Sequence, residues 1–488
     1  MKKTNNQSFK LASCLLIAAV TITSAMPAKA QSASELKYFG STYFTIINRA
    51  FDDTPDPYCR LPKSLQPTEP KVTAENGIQP GAAAKGTSPQ KATPASDATA
   101  TKTSATLAIP DSAALKKAAD EELMTNVWQL GLNSAGIAVR FSSNAHAIGF
   151  KWLLKNNFNM VHMAGTGIRG IDLYTYDATS KTWRFIGTSQ PFKAKGTTDP
   201  VTGESCDKLM SSVAVRNMRG DVREYLAYLP LYDGVDSLEI GVDSAAVVTS
   251  PVNKLMTKED QSNLKHHKPF VFYGTSITQG GCVSRPGMAY PAIIGRRVGC
   301  ESYNFGFSGN GKMNLELLPE LTKIDAQAFV IDCLPNCDPE IINERGYKFI
   351  STIAKAHPDM PVYMVEHVQF PKALVDIKTD SLIVADNKLW DALYKQFRKE
   401  GINNIRYISN RKLIGSDGEA TVDGIHLTDL GSIRIADDMM HGMGLDYFVP
   451  GHKRSDSPWT DIIICFAIIA ITYLASKIQW KGDKKESK

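Results

Sequence analysis

PFVFYGTSIT, residues 269–278, decides the fold. An apolar run, Phe270 to Tyr273, stops at Gly274, and a tight strand-to-helix turn carries Ser276. A strand apolar on both faces is the kind that lies inside a parallel sheet. The rhythm then repeats. ESYNFG (301–306) precedes a helical stretch near 312–323, and AQAFVIDCL (326–334) precedes 339–356. PVYMVEHV (361–368) precedes 382–399, and NIRYIS (404–409) precedes 428–443. Strand and helix alternate five times over 268–447, counting the stretch near 288–298 that follows the first strand. That alternation predicts an α/β domain, a parallel sheet with helices on both faces. In such sheets the site forms at the carboxyl ends of the strands.

Four short blocks fall on that rim. They are Gly274-Thr275-Ser276-Ile277-Thr278, Gly306-Phe307-Ser308-Gly309-Asn310, Leu334-Pro335-Asn336-Cys337 and Asp423-Gly424-Ile425-His426. A serine nucleophile needs a base for its proton, and the base needs an orienting carboxylate. Ser276, His426 and Asp423 supply these three groups. The oxyanion of an acyl-transfer intermediate needs donors, which the Ser276 and Gly309 backbone N–H groups and the Asn336 amide supply. Any one block alone reads as a turn; the four together, in this order, read as a site.

These blocks resemble those of the SGNH, or GDSL-like, hydrolase family over about 268–447. The resemblance implies a flavodoxin-like fold and ester hydrolysis without a cofactor. It makes Ser276 the nucleophile, His426 the base, Asp423 its partner, and Ser276, Gly309 and Asn336 the oxyanion hole. Two departures stand out. The usual Gly-Asp-Ser reads Gly274-Thr275-Ser276, where Thr still hydrogen-bonds locally. The usual Gly-x-Asn-Asp reads Leu334-Pro335-Asn336-Cys337, which keeps the Asn and changes its surroundings.

Upstream the period becomes that of strands. GIAVRF (136–141), GIDLYTY (170–176), TWRFIG (182–187), REYLAYLP (223–230) and SLEIGV (237–242) alternate apolar and polar residues between turns. They predict an antiparallel, jelly-roll-like β-sandwich over 113–255 that begins in 31–61, with a strand in YFTIINRAF (43–51). The arrangement resembles two-domain carbohydrate acetyl esterases. Residues 62–112 are rich in Ala, Thr and Pro and lack aromatics, so a disordered insertion is expected, with a helix over 113–124. Trp183, Tyr174 and Tyr176 are candidates for a sugar-stacking face, against core packing.

The ends set the expected compartment. Lys2, Lys3 and Lys10, the apolar run 11–20 and Ala28-Lys29-Ala30 read as a signal peptide over 1–30. After a juxtamembrane linker, 448–460, the apolar stretch 461–480 is bracketed by Trp459 and Trp480. Lysines follow it in 481–488, which predicts one C-terminal transmembrane helix with a cytoplasmic tail. The body of the protein then faces the periplasm. An exported chain tolerates disulfides, and Cys59, Cys206, Cys282, Cys300, Cys333 and Cys337 remain to form them. Without a CxxC pair, no structural metal is expected, and His266-His267 read as solvated linker residues.

Composition bounds the rest. Of 488 residues, 43% are hydrophobic and 22% charged, which excludes collagen-like, wholly disordered and polytopic membrane classes. A net charge of +5 without a basic stripe excludes a nucleic-acid partner. The sequence therefore predicts an exported serine esterase that removes O-acyl, chiefly O-acetyl, groups from carbohydrate. The alternatives are a lipid or thioester hydrolase on the same site, or a catalytically inactive carbohydrate-binding protein.

Overall fold

The computed structural model describes residues 32–67, 112–194, 207–251, 268–409 and 413–446. The signal peptide, most of the insertion, the linker, the apolar stretch 461–480 and the tail lie outside these residues, as do Cys206 and His266-His267. Among the described residues no helix is long and apolar enough to cross a membrane.

Two antiparallel sheets come first. One has the order β1 (Lys37–Phe39), β9 (Val235–Val242), β4 (Ile148–Leu154), β7 (Leu209–Val215). The other has the order β10 (Val248–Thr249), β3 (Ala138–Ser143), β8 (Arg223–Tyr228), β5 (Ile171–Asp177), β6 (Thr182–Ser189). In this second sheet, β2 (Thr45–Ile47) also pairs with β3. Val139 and Phe141 of β3 meet Phe150 and Trp152 of β4 in a shared core, as expected of alternating inward residues. β4 and β7 escape the sequence reading because their polar residues disguise them. Lys151 in β4 pairs across the sheet with Glu239, and β7 carries Ser211 and Ser212.

The third sheet is parallel throughout, in the order β12 (Ser302–Gly306), β11 (Phe270–Gly274), β13 (Ala328–Asp332), β14 (Val362–Val365), β15 (Ile405–Ile408). Period 2 divides β11 between two cores. Phe270 and Phe272 face one core, built with helices Tyr290–Val298 and Asp429–Gly442. Val271 and Tyr273 face the other, built with helices Tyr347–Ala356 and Ile377–Lys399. The chain runs from β11 outward to β12 and then back to β13 on the other side. Sheet direction therefore reverses at β11, where a crevice opens at the strand ends.

Helix Ser112–Gly131 extends the one expected at 113–124 and belongs with the α/β core. Its Val127, Trp128 and Leu130 pack with Phe305 and Phe307. Residues 62–67, assigned to the insertion by composition, are folded: Ser64 donates to Glu320 across the same face. The disulfides allowed by an exported chain are not formed among the described residues. Cys59, Cys282, Cys300, Cys333 and Cys337 are free. Cys337 instead donates its thiol to the Cys333 carbonyl at 3.3 Å across a single 3-10 turn.

Candidate active site

Ser276 opens a four-residue helix, Ser276–Gln279, directly after β11. Thr275 is its N-cap: extended at φ −105°, it accepts a hydrogen bond from the Ile277 N–H at 3.1 Å. Threonine thus serves here as the cap. The helix is held from three sides. Thr278 Oγ1 and Tyr290 OH are 3.0 Å apart, and the tyrosine donates to buried Asp332 at 2.9 Å. Burial pushes the Asp332 carboxyl up to about 6, against the hydrogen bonds from Tyr290 and Thr278. Gln279, fully buried, donates to the Leu231 carbonyl and accepts from the Ser308 N–H, both at 3.0 Å.

Asp423, Gly424, Ile425 and His426 form a tight turn closed by Val422 N–H on the His426 carbonyl at 2.8 Å. Gly424 adopts φ +87°, where a side chain is strained. The turn then returns Asp423 to its own backbone. One carboxylate oxygen accepts from the Ile425 and His426 N–H groups at 3.0 and 2.8 Å. The other lies 2.7 Å from His426 Nδ1. Burial opposes ionisation of Asp423. The His426 ring and these backbone donors outweigh it and hold the carboxyl below its ordinary value. The opposite ring nitrogen, Nε2, stands 2.9 Å from Ser276 Oγ. Three residues named from two separate blocks of sequence therefore form one continuous hydrogen-bonded chain. Ser276 is only 6% exposed, His426 is half-buried and Asp423 is exposed, so the chain runs from the interior out to the surface.

The two other predicted residues stand at neighbouring strand ends. Gly309, at φ +70° in the loop after β12, has no atom within 4 Å of where a Cβ would stand, so its backbone face is open. Asn336 closes the 3-10 turn Leu334–Asn336 after β13, and its buried Oδ1 has no hydrogen-bond partner. Glu366 and His367, which follow β14, are engaged elsewhere. Glu366 accepts from Tyr407 at 2.8 Å, and His367 is 2% exposed beside the Val368 carbonyl. Burial lowers the His367 imidazole to about 4.

The sandwich takes part in the site, which local motifs did not reveal. Tyr232 OH donates to the Ser276 carbonyl at 3.3 Å. Asp233, fully buried, accepts from the Asn156, Asn157 and Phe158 N–H groups at 3.0, 2.6 and 3.0 Å. This loop continues to His162, whose ring centroid lies 5.8 Å from that of His426. Cys282, in a left-handed conformation after the nucleophile helix, completes a group with His162, Asp423 and His426. Burial, and then Asp423, push its thiol up to about 12. Gly170-Ile171-Asp172-Leu173-Tyr174 forms a clamp between the domains. Buried Asp172 accepts from Arg285 at 2.8 Å and from the Gly287 N–H at 2.9 Å, while Arg285 also donates to Tyr174 at 2.6 Å. Tyr174 and Tyr176 are buried, which is the core-packing alternative and not a sugar-stacking face; Trp183 is half-buried beneath Arg140.

Residues 267–443 match the model of the GDSL-like lipase/acylhydrolase family. Residues 111–248 match a model labelled GxDLY, described as the N-terminus of SGNH-hydrolase-type esterases, and Gly170 to Tyr174 spell that label. Among solved structures, a candidate GDSL-like lipase from Bacteroides ovatus is 27% identical, with a TM-score of 0.64 over 84% of this chain and 98% of that one. A salicylyl-acyltransferase from a tetracycline biosynthetic pathway is 12% identical, TM-score 0.49, over 66% and 85% of the two chains. A family two carbohydrate esterase from Clostridium thermocellum, solved with cellohexaose, is 11% identical, TM-score 0.41, over 64% and 94%. No curated protein matches the chain.

Proposed function

Because the chain belongs to the GDSL-like, or SGNH, hydrolase family and is a hydrolase of that esterase class, we propose that it is a serine esterase whose catalytic groups are Ser276, His426 and Asp423. The observation that carries this reading is the chain from Ser276 Oγ to His426 Nε2 at 2.9 Å and from His426 Nδ1 to Asp423 at 2.7 Å. Ser276 Oγ attacks the ester carbonyl while His426 Nε2 takes its proton, and Asp423 stabilises the imidazolium. The Ser276 and Gly309 N–H groups and the Asn336 amide face the oxyanion. Collapse of the intermediate returns the proton from His426 to the leaving alcohol and leaves an acyl-Ser276. Water, activated by His426, then releases the acid.

The proposed substrate is an O-acetyl ester on carbohydrate. The near-complete burial of Ser276, 6% exposed, favours a small acyl group. The carbohydrate alcohol follows the likeness of the two-domain arrangement to carbohydrate acetyl esterases. The reading includes export by the signal peptide at 1–30 and anchoring by 461–480 at the periplasmic face. A longer acyl chain is the second reading. In its favour Leu374, Val375 and Ile377, in the connection that leaves the carboxyl end of β14, are 90%, 82% and 81% exposed.

The test is hydrolysis of p-nitrophenyl acetate, butyrate and octanoate by the full-length protein, beside Ser276→Ala, followed by acetate release from acetylated polysaccharide. Turnover that falls with chain length and vanishes in the variant supports the acetyl esterase. Octanoate preference supports the second reading. A folded protein without turnover on any ester refutes both.

A further inference from the structure

We propose that a thiophilic divalent cation of the zinc class binds across His162, Cys282, Asp423 and His426 and switches the site off. One donor atom from each residue lies within 4.8 Å of the other three. Two imidazoles, a thiol and a carboxylate are the ligand types that zinc takes, at roughly 2.0–2.3 Å. Tetrahedral ligands at those lengths stand about 3.2–3.8 Å apart, so the widest pair has to close by roughly 1 Å. His162 and Cys282 both lie in turns outside the sheet, where side-chain rotation supplies that movement. The thiol selects against magnesium and calcium, which take oxygen ligands.

The four ligands come from three parts of the molecule. His162 belongs to the sandwich loop fixed by Asp233, Cys282 follows the nucleophile helix, and Asp423 and His426 share the turn before the last helix. A bound cation therefore bridges the two domains. It also engages His426, both of whose ring nitrogens already serve the relay, one toward Ser276 at 2.9 Å and one toward Asp423 at 2.7 Å. Coordination at either nitrogen breaks one link, and a metallated imidazole cannot take the Ser276 proton. Binding displaces the Cys282 thiol proton to solvent and involves no redox step. Cys282 and His162 have no part in the ester-hydrolysis steps, so the cation finds in them two ligands that the reaction does not use.

Inhibition rests on the triad reading; binding does not. Binding is therefore measured on its own, with cobalt(II) as the probe and the full chain carrying Ser276→Ala. A thiolate-to-cobalt charge-transfer band is expected, and its loss in Ser276→Ala/Cys282→Ala. Activity is then followed on p-nitrophenyl acetate with rising zinc and reversal by EDTA. Cys282→Ala retains basal hydrolysis and raises the half-inhibitory zinc concentration at least tenfold; His162→Ala raises it as well. Absence of the band, its persistence without Cys282, or equal zinc sensitivity in all three proteins overturns the proposal. A cobalt band in a protein that hydrolyses no ester leaves the cation site standing and refutes the esterase.

Discussion

The clamp between Asp172 and Arg285 gives a sharp test of whether the sandwich holds the catalytic domain in place. Asp172 is fully buried and accepts three hydrogen bonds: Arg285 at 2.8 Å, Gly287 N–H at 2.9 Å and Thr188 at 2.9 Å. Arg285 is itself largely buried and lies over Phe185, 3.7 Å from the ring centroid. Burial pushes the Asp172 carboxyl upward, and Arg285 with the other donors pulls it back only in part. Such a pair brings little net stability over an apolar pair, yet removing one partner leaves a buried charge uncompensated, at about 3–5 kcal/mol. Asp172→Ala is therefore expected to destabilise by about 3–5 kcal/mol. At roughly 2–4 °C per kcal/mol, that lowers Tm by on the order of 10 °C. Asp172→Leu with Arg285→Met, which removes both charges, is expected to recover most of this loss. The assay is denaturant unfolding followed by circular dichroism, beside kcat/KM on p-nitrophenyl acetate. A loss under about 1 kcal/mol for Asp172→Ala, or a double variant no better than the single, refutes the reasoning, because an uncompensated buried charge cannot be that cheap.

Three further outcomes follow from the same geometry. Asp423→Asn keeps the shape of the turn but loses the charge that orients His426, so kcat is expected to fall about 10⁴-fold with little change in Tm; retained activity points to another base. A Cβ on Gly281 stands 2.9 Å from His426 Cδ2, 3.0 Å from Tyr232 OH and 3.1 Å from the Ser276 carbonyl. Gly281→Ala should therefore lower kcat by up to about 10²-fold through misplacement, and an unchanged kcat would show that His426 has room to move. Burial, with Asp338 nearby, raises the carboxyl of fully buried Asp386 to about 7, and neither of its oxygens is hydrogen-bonded. A carboxyl raised in the folded state binds its proton more tightly there, so stability falls as pH rises from the unfolded value toward about 7. Asp386→Asn should then stabilise by up to about 4 kcal/mol at pH 8 and by almost nothing at pH 4. Equal gains at both pH values would refute the assignment.

The sheet and the hydrogen-bonded chain from Ser276 through His426 to Asp423 were legible because their signals are local. Continuous apolar strands announce a parallel sheet, and the residues proposed for catalysis sit at a strand end or in a single turn, as Ser276 and Asp423-Gly424-Ile425-His426 do. Strands β4 and β7 were hidden by polar residues whose partners lie on other strands, as Lys151 lies against Glu239. Helix Ser112–Gly131 packs its C-terminal half on the α/β core. Its sequence shows that a helix forms but not which core receives Val127 and Trp128. His162 and Tyr232 carried no signal, since a lone histidine or tyrosine in a loop is ordinary. One clue was available in GIDLY, where an aspartate interrupts an otherwise apolar strand. A buried carboxylate needs donors, and Asp172 finds them outside its own strand, in Arg285, Gly287 and Thr188.

That clue changes how the sandwich should be understood. If it only carried substrate, its contacts with the catalytic domain would be apolar and indifferent to the site. Instead its polar groups reach the atoms next to the nucleophile: Tyr232 OH on the Ser276 carbonyl, the Leu231 carbonyl on Gln279, and Asp172 on the segment that leaves the nucleophile helix. Gln279 then passes the restraint on to Ser308, beside Gly309. Ala135, Ile168, Leu231 and Tyr232 of the sandwich region also share one buried cluster with Ile277 and Leu427, which adjoin Ser276 and His426. Removing the sandwich would uncover that cluster and take away the Leu231 carbonyl from Gln279 and Asp172 and Tyr174 from Arg285. The proposed reactive groups all belong to the α/β domain, and the polar contacts of the sandwich end on the residues beside them.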